Sequence, residues 1–258
     1  MRTLVFIPAW NEQDSVSDVV RAVRGRLPEV DVIVIDDGST DRTSERARAA
    51  GAIVAVHPFN QGLGAALHTG YRYAQRHEYD FCAHLDADGQ HPPEELARLL
   101  GAVWSGDCDL ALGSRYHAPS TEALIGGEKY KPTWTRKLGM VLFRSLLTFT
   151  TRHRFTDTTS GFRAANRHGI RLFAARYQPD FAELESLQRA VRHGLHIKEL
   201  QVTMLPRAAG TSKITPLASA FFIFKGLLVV GMGSLRRKEA DLVRRVLHPG
   251  EADSEARL

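Results

Sequence analysis

Five short, nearly unbroken apolar runs punctuate the first 114 residues: "TLVFI" (3–7), "DVIVID" (31–36), "AIVAV" (52–56), "FCAHLD" (81–86) and "LALGS" (110–114). They lack the every-other-residue polarity of a strand with one wet face, so they predict strands covered on both sides. Segments of helical character separate them, at 13–26, 41–50, 62–76 and 93–104. Strand and helix in alternation imply right-handed crossovers, and so an α/β fold with a mostly parallel, Rossmann-like sheet and helices on both faces. Such sheets bind ligands beyond the carboxyl ends of their strands. The stretches after the first, second and fourth runs are "PAWNE", "DDGSTD" and "DADGQH", the acidic and turn-rich ones.

"DADGQH" carries the sharpest constraint. Asp86 and Asp88 stand two residues apart, and on an extended segment both carboxylates project to the same side. At about 4 Å and an effective dielectric near 20 they repel by roughly 4 kcal/mol, which calls for a compensating cation or proton. In "DDGSTD", Gly38 makes a turn and Ser39, Thr40 or Asp41 caps the next helix. That accounts for everything except the doubled acid, and Asp37 is expected to point into the crevice and accept hydrogen bonds from a base or ribose. In "IPAWNE", Asn11 and Glu12 either open the first helix or contact a nucleoside. Gly62 and Gly64 precede a helix and either turn backbone N–H groups toward a phosphate or only permit close packing. No GxGxxG follows the first strand and no Walker lysine is present, which argues against nicotinamide and P-loop enzymes.

At 258 residues the chain is long enough for one catalytic domain with an appendage. Two cysteines, Cys82 and Cys108, are too few for a disulfide framework and read as reduced thiols of a cytoplasmic protein. The apolar run before Pro8 is too short for a signal peptide. The net charge of +5 is concentrated: residues 129–156 carry Lys129, Lys131, Arg136, Lys137, Arg144, Arg152 and Arg154 without an acid, and 202–238 are acid-free as well. Such fields suit anions. No nucleic-acid-binding motif accompanies them, so a phosphate-bearing substrate or an anionic membrane surface is the expected partner, and not nucleic acid.

"IPAWNE", "DDGSTD", "NQGLGAA", "DADGQH", "GSRY", "DTTSGFRA" and "GTSK" follow one another in the order and spacing of inverting family 2 glycosyltransferases of the GT-A fold. The chain most resembles the dolichyl- or polyprenyl-phosphate sugar synthases of that family, over residues 2–215. The resemblance implies that Asp86, Asp88 and Gln90 hold a divalent Mg or Mn ion against the diphosphate of a nucleotide sugar. Pro8, Ala9, Asn11, Glu12, Asp37, Gly62 and Ala87 are then expected on the donor. It further places Arg115, Arg136, Arg207 and Lys213 around the acceptor phosphate, and makes Asp88, Arg115, Arg207 and Lys213 the groups that carry the transfer. The implied activity is metal-dependent inverting transfer of a hexose, from a donor of the GDP-mannose or UDP-glucose type, to a polyprenyl phosphate. A lipid phosphate is already ionised and needs no base; a hydroxyl acceptor would need one, with Glu183 or Glu185 as candidates, although exposed acids in a first helical turn more often face the helix dipole. A nucleotide-sugar binding protein without transfer is the remaining alternative.

The expected organisation is a catalytic domain at 1–215, an apolar helix at 216–238 and a polar tail at 239–258. The apolar segment nears the length of a membrane span, yet Lys225 at its centre would cost roughly 2.5–3.5 kcal/mol there. Interfacial attachment at the cytoplasmic leaflet is therefore expected, with docking to a membrane protein or a homo-oligomer interface as alternatives. Residues 134–152 interleave apolar and basic side chains and read as a second interfacial helix or as core.

Overall fold

A computed structural model describes residues 1–116, 123–125, 128–130, 134–177 and 182–205. Arg207, Lys213, the boundary expected at 215, the helix expected at 216–238 and the tail at 239–258 lie outside the described residues. The elements run β1 (Thr3–Ala9), α1 (Val16–Arg26), β2 (Asp31–Asp36), α2 (Thr43–Ala49), β3 (Ile53–Val56), α3 (Leu63–Arg76), β4 (Phe81–His84), α4 (Pro93–Trp104) and β5 (Leu110–Ser114). There follow a small hairpin of β6 (Ala123–Ile125) and β7 (Glu128–Tyr130), then α5 (Trp134–Thr151), β8 (Arg163–Asn166), α6 (Arg167–Ala175), α7 (Ala182–Arg192) and β9 (Ile197–Gln201).

Seven strands form one sheet in the order β3-β2-β1-β4-β8-β5-β9. All its pairings are parallel except those of β8, which is antiparallel to β4 and to β5. The apolar runs have no polar alternation because each strand feeds two cores. From β1, Leu4 and Phe6 join Leu67 and Tyr71 of α3, Phe143 and Leu147 of α5, Phe173 of α6 and Leu187 of α7. Val5 and Ile7 join Val19 and Val23 of α1, Ala47 of α2 and Leu99 of α4 on the opposite face. Burial of such a side chain contributes about 1.5–3 kcal/mol, and all seven residues of β1 are buried. α3 lies so close to β1 that a Cβ on Gly70 would fall 2.3 Å from the Phe6 ring.

β3 departs from expectation. It is an edge strand, and Ile53 and Val56 are about half exposed, so its apolar run does not reflect burial on both faces. Cys82 and Cys108 are free and buried, and burial raises both thiols, Cys108 to about 11. Among the described residues, no helix is long and apolar enough to cross a membrane.

Strand order fixes where a ligand can sit. The chain runs outward one way through β1, β2 and β3, then returns to place β4 on the other side of β1. Between the carboxyl ends of β1 and β4 the crossovers diverge and leave a crevice. β1 pairs with β4 only as far as Phe6 opposite His84, but with β2 as far as Ala9 opposite Asp36. Pro8, which has no N–H to give, therefore lies where β1 borders the crevice on one side.

Candidate active site

A cleft of about 460 Å³ occupies this switch point. Pro8, Ala9, Trp10 and Glu12 after β1, Asp37 after β2, and Asn60, Gly62, Leu63 and Ala66 at the start of α3 form one side. Asp86, Ala87 and Asp88 after β4 form the other. Stretches far apart in sequence thus converge on one cleft, and of the residues expected on the donor only Asn11 does not line it.

Asn11 has a different task. Its φ is +54°, a conformation asparagine tolerates better than most residues, and its Oδ1 accepts from Thr40 N at 2.9 Å while its own N–H donates to Ser39 Oγ at 2.9 Å. Asn11 therefore ties the loop after β1 to the loop after β2. Glu12 lines the cleft, and its backbone N–H donates to Thr43 Oγ1 at 2.9 Å.

The doubled acid divides its labour. Asp36, buried, accepts from Ser39 N at 2.9 Å and from the Ser44 hydroxyl, so it shapes the turn into α2. Asp37 lines the cleft, and its Oδ1 meets His57 Nδ1 at 2.7 Å and accepts from Gln61 N at 3.0 Å; its Oδ2 accepts from Gly62 N at 2.7 Å. The N–H groups of this glycine loop thus face a carboxylate of the protein, and the phosphate-facing arrangement considered for Gly62 is not the one found. His57 is held from behind by Thr69 Oγ1, 2.9 Å from Nε2. Gly38 allows the two loops to meet: its φ is +72°, and a Cβ there would lie 2.5 Å from the Phe59 carbonyl carbon.

The acidic pair sits on a turn and not on an extended strand, because β4 ends at His84 and Gly89 takes φ +78°. Both carboxylates still line the same cleft. Asp88, 3% exposed, accepts from Gln90 N at 3.0 Å. Gln90 donates through Nε2 to the Leu205 carbonyl at 3.4 Å, which leaves its Oε1 as the acceptor end of the amide. Asp86 lies beside Gly161, where a Cβ would stand at ordinary contact distance, 3.6 Å from Oδ1. The donor set is two carboxylates and an amide oxygen on an open cleft, which suits a hard divalent ion that keeps positions for phosphate and water.

Behind the pair stands His91, a residue that sequence reasoning passed over. Its Nδ1 accepts from Asp86 N at 3.1 Å, and its ring stacks on Phe162 with centroids 4.5 Å apart. Burial pushes its pKa down to about 4, against the opposing pull of Asp88. The ring is neutral at physiological pH, as an acceptor nitrogen requires.

Arg115 is gripped by Asp157. Nε and Nη2 donate to the two carboxylate oxygens at 2.7 and 2.8 Å, the Arg115 backbone N–H adds a third bond at 3.1 Å, and Thr159 Oγ1 accepts from Nη2 at 2.7 Å. Burial would raise the Asp157 carboxyl, but the charge and hydrogen bonds of Arg115 outweigh it and hold the group below the usual carboxylate range. Glu199 of β9 fixes the loop in turn, accepting from Thr156 N at 2.8 Å and Asp157 N at 3.1 Å. Arg136 belongs to α5, and its side chain lies outside the described residues.

The two candidate bases separate. Both open α7, but neither is the exposed first-turn acid the sequence suggested: Glu185 is 8% exposed and Glu183 is partly buried. Burial raises the Glu183 carboxyl, Arg163 pulls it back down, and Asp86 raises it further, so Glu183 belongs to the electrostatic field of the site. Glu185 instead supports the charges of Arg189 and Arg192 on another side of the helix. Arg163, 1% exposed, donates to Ser160 O, Ser186 Oγ and Glu183 O at 3.0, 2.5 and 3.0 Å, and so pins the first turn of α7 to β8.

Comparison with known proteins agrees with this architecture. Residues 4–174 match the family model described as glycosyl transferase family 2. The chain is 35% identical over 229 residues to a polyprenol monophosphomannose synthase of Mycolicibacterium smegmatis, covering 83% of this chain and 81% of that protein. It is 33% identical over 227 residues to an undecaprenyl-phosphate mannosyltransferase of Micrococcus luteus, covering 83% and 88%. Among solved structures, glucosyl-3-phosphoglycerate synthase from Mycobacterium tuberculosis, in complex with Mn2+, UDP-glucose and phosphoglyceric acid, superposes with a TM-score of 0.65 at 25% identity, covering 89% of this chain and 79% of that one.

Proposed function

We propose that this chain, which belongs to glycosyl transferase family 2, moves a hexose, mannose before glucose, from a nucleotide sugar to the phosphate of a polyprenyl lipid at the cytoplasmic leaflet. The observation that carries the reading is the meeting, across one cleft, of a nucleoside-sized wall built from Pro8, Ala9, Glu12 and Asp37 with the paired carboxylates Asp86 and Asp88. The names of the two curated relatives supply the acceptor class and the preference for mannose.

Asp37 accepts hydrogen bonds from base or ribose and Glu12 borders the same compartment, so the nucleoside lies toward β1 and β2 and the diphosphate toward Asp86 and Asp88. Those two carboxylates, with Gln90 Oε1, would hold Mg or Mn. When bound, the ion neutralises the charge that gathers on the departing diphosphate. His91 keeps the acidic turn in place through Asp86 N and, being neutral, adds no positive charge of its own. An ionised phosphate oxygen of the acceptor attacks the anomeric carbon as its bond to the diphosphate breaks on the opposite face, and the configuration inverts. Positioning replaces a general base in that step. Arg115, held in a single orientation by Asp157, presents a planar guanidinium to the phosphate groups, with Arg136, Arg207 and Lys213 as the further cations of the acceptor side.

A second reading has one observation in its favour: Glu183, with its raised carboxyl, stands in the field of Asp86, where a base for a hydroxyl acceptor would be needed. One experiment separates the two. Purified protein is given radiolabelled GDP-mannose, or UDP-glucose, with polyprenyl phosphate or a saccharide acceptor. The proposal expects label in solvent-extractable lipid, abolished by Asp88→Asn and largely retained by Glu183→Gln. Label in the saccharide alone, lost on Glu183→Gln, would replace it with the second reading.

A further inference from the structure

The helix α5 is apolar on two sides, and only one of them is accounted for. Phe143 and Leu147 enter the core shared with α7, with Gly139 buried on the same side. On the opposite side Val141, Ser145 and Phe149 follow one another at four-residue spacing, which places them in one line along the helix, and Leu142 lies one heptad before Phe149 beside that line. These side chains are in water: Phe149 is 86% exposed, Val141 47% and Leu142 36%. A soluble helix ordinarily turns one apolar stripe inward and a polar face outward.

Charge indicates what covers this face. Arg144 and Arg152 are exposed beside the line, Arg154 follows, and Lys129, Lys131, Arg136 and Lys137 precede it in sequence, with no acid between 129 and 156. Apolar side chains flanked by the exposed Arg144, Arg152 and Arg154 match the two layers of an anionic bilayer surface, with acyl chains inside and phosphates outside. The face also has a fixed relation to the site. α5 packs on α7, whose first turn is pinned by Arg163 and bears Glu183, within the field of Asp86.

We propose that the outward face of α5, with Val141, Leu142 and Phe149 inserted and Arg144 and Arg152 at the headgroup level, docks this chain on an anionic lipid bilayer. The surface deepens the reading of a lipid-borne acceptor and rests on it for its purpose, though not for its geometry.

The test is co-sedimentation of the full chain with vesicles of phosphatidylcholine alone and with vesicles of phosphatidylcholine and phosphatidylglycerol in equal parts. Binding is expected to the anionic vesicles, to weaken with salt, and to fall about tenfold in V141S/L142S/F149S, a substitution of exposed groups that leaves the unfolding temperature unchanged. R144Q/R152Q is expected to remove much of the salt-sensitive part. Turnover on detergent-dispersed polyprenyl phosphate should be the same in all three proteins. Unchanged vesicle binding by the triple variant, or equal binding to neutral and anionic vesicles, overturns the proposal. So does a self-association of the wild type that the triple variant abolishes while vesicle binding persists, since the face then belongs to a second copy. Absent turnover with intact, variant-sensitive vesicle binding would instead refute the acceptor and leave the docking face standing.

Discussion

The Arg115–Asp157 pair permits a quantitative forecast. Two charge-assisted bonds at 2.7 and 2.8 Å join side chains that are 21% and 2% exposed. Removing one partner from a fully buried pair is worth about 3–5 kcal/mol, and partial exposure of the guanidinium reduces this, giving about 2–3 kcal/mol for the coupling. A double-mutant cycle with Arg115→Met and Asp157→Asn, followed by urea unfolding, isolates that quantity. Each single variant should lose about 3 kcal/mol, equivalent to a fall of about 10 °C in unfolding temperature for a chain of this size. The double variant should lose little more than either. Acid adds a second arm. A carboxyl held below its unfolded value stabilises the fold above the ordinary carboxylate range, about pH 4, and that stabilisation is lost as pH falls through the lower folded value. The wild type should therefore shed this stability below about pH 4, where Asp157→Asn has none of it left to lose. A coupling under about 0.5 kcal/mol would refute the reasoning and reduce the pair to a surface contact.

Gly38→Ala should destabilise by more than about 2 kcal/mol in the same unfolding assay, since it combines positive φ with a Cβ 2.5 Å from the Phe59 backbone. His57→Gln, which loosens Asp37, is expected to raise the donor KM about three- to tenfold with kcat little changed, as initial rates against donor concentration would reveal. Chelation should abolish transfer, and added Mg or Mn should restore it; full turnover in excess chelator would remove the metal from the account.

The first half of the chain was readable because its signals are local. α4 and β2 have the bounds their apolar pattern suggested, since each begins or ends at a turn residue or a cap. β1 outran its expected end at Ile7 because Pro8 needs no partner on the crevice side, a fact visible only once β4 is known to stop pairing at His84. β8 has four residues, carries the buried Arg163, and is held between two strands far away in sequence, so no window of residues announces it. The same distance hid His91 and His57: one lies in a quoted motif but acts through Phe162 and the Asp86 backbone, and the other has no motif at all. Residues 134–152 read as an interfacial helix or as core; the helix found there turns Phe143 into the core and leaves Phe149 exposed on its other side.

Because β8 is wedged antiparallel between β4 and β5, those two strands touch no common neighbour until residue 166 has been made, and β5 gains its outer partner only at residue 201. A nascent chain halted after β5 would hold four strands in register and a fifth adrift, its apolar flank open to whatever is nearby. The later residues therefore close the fabric woven by the earlier ones, β8 supplying the neighbour that β4 and β5 share and β9 the outer partner of β5.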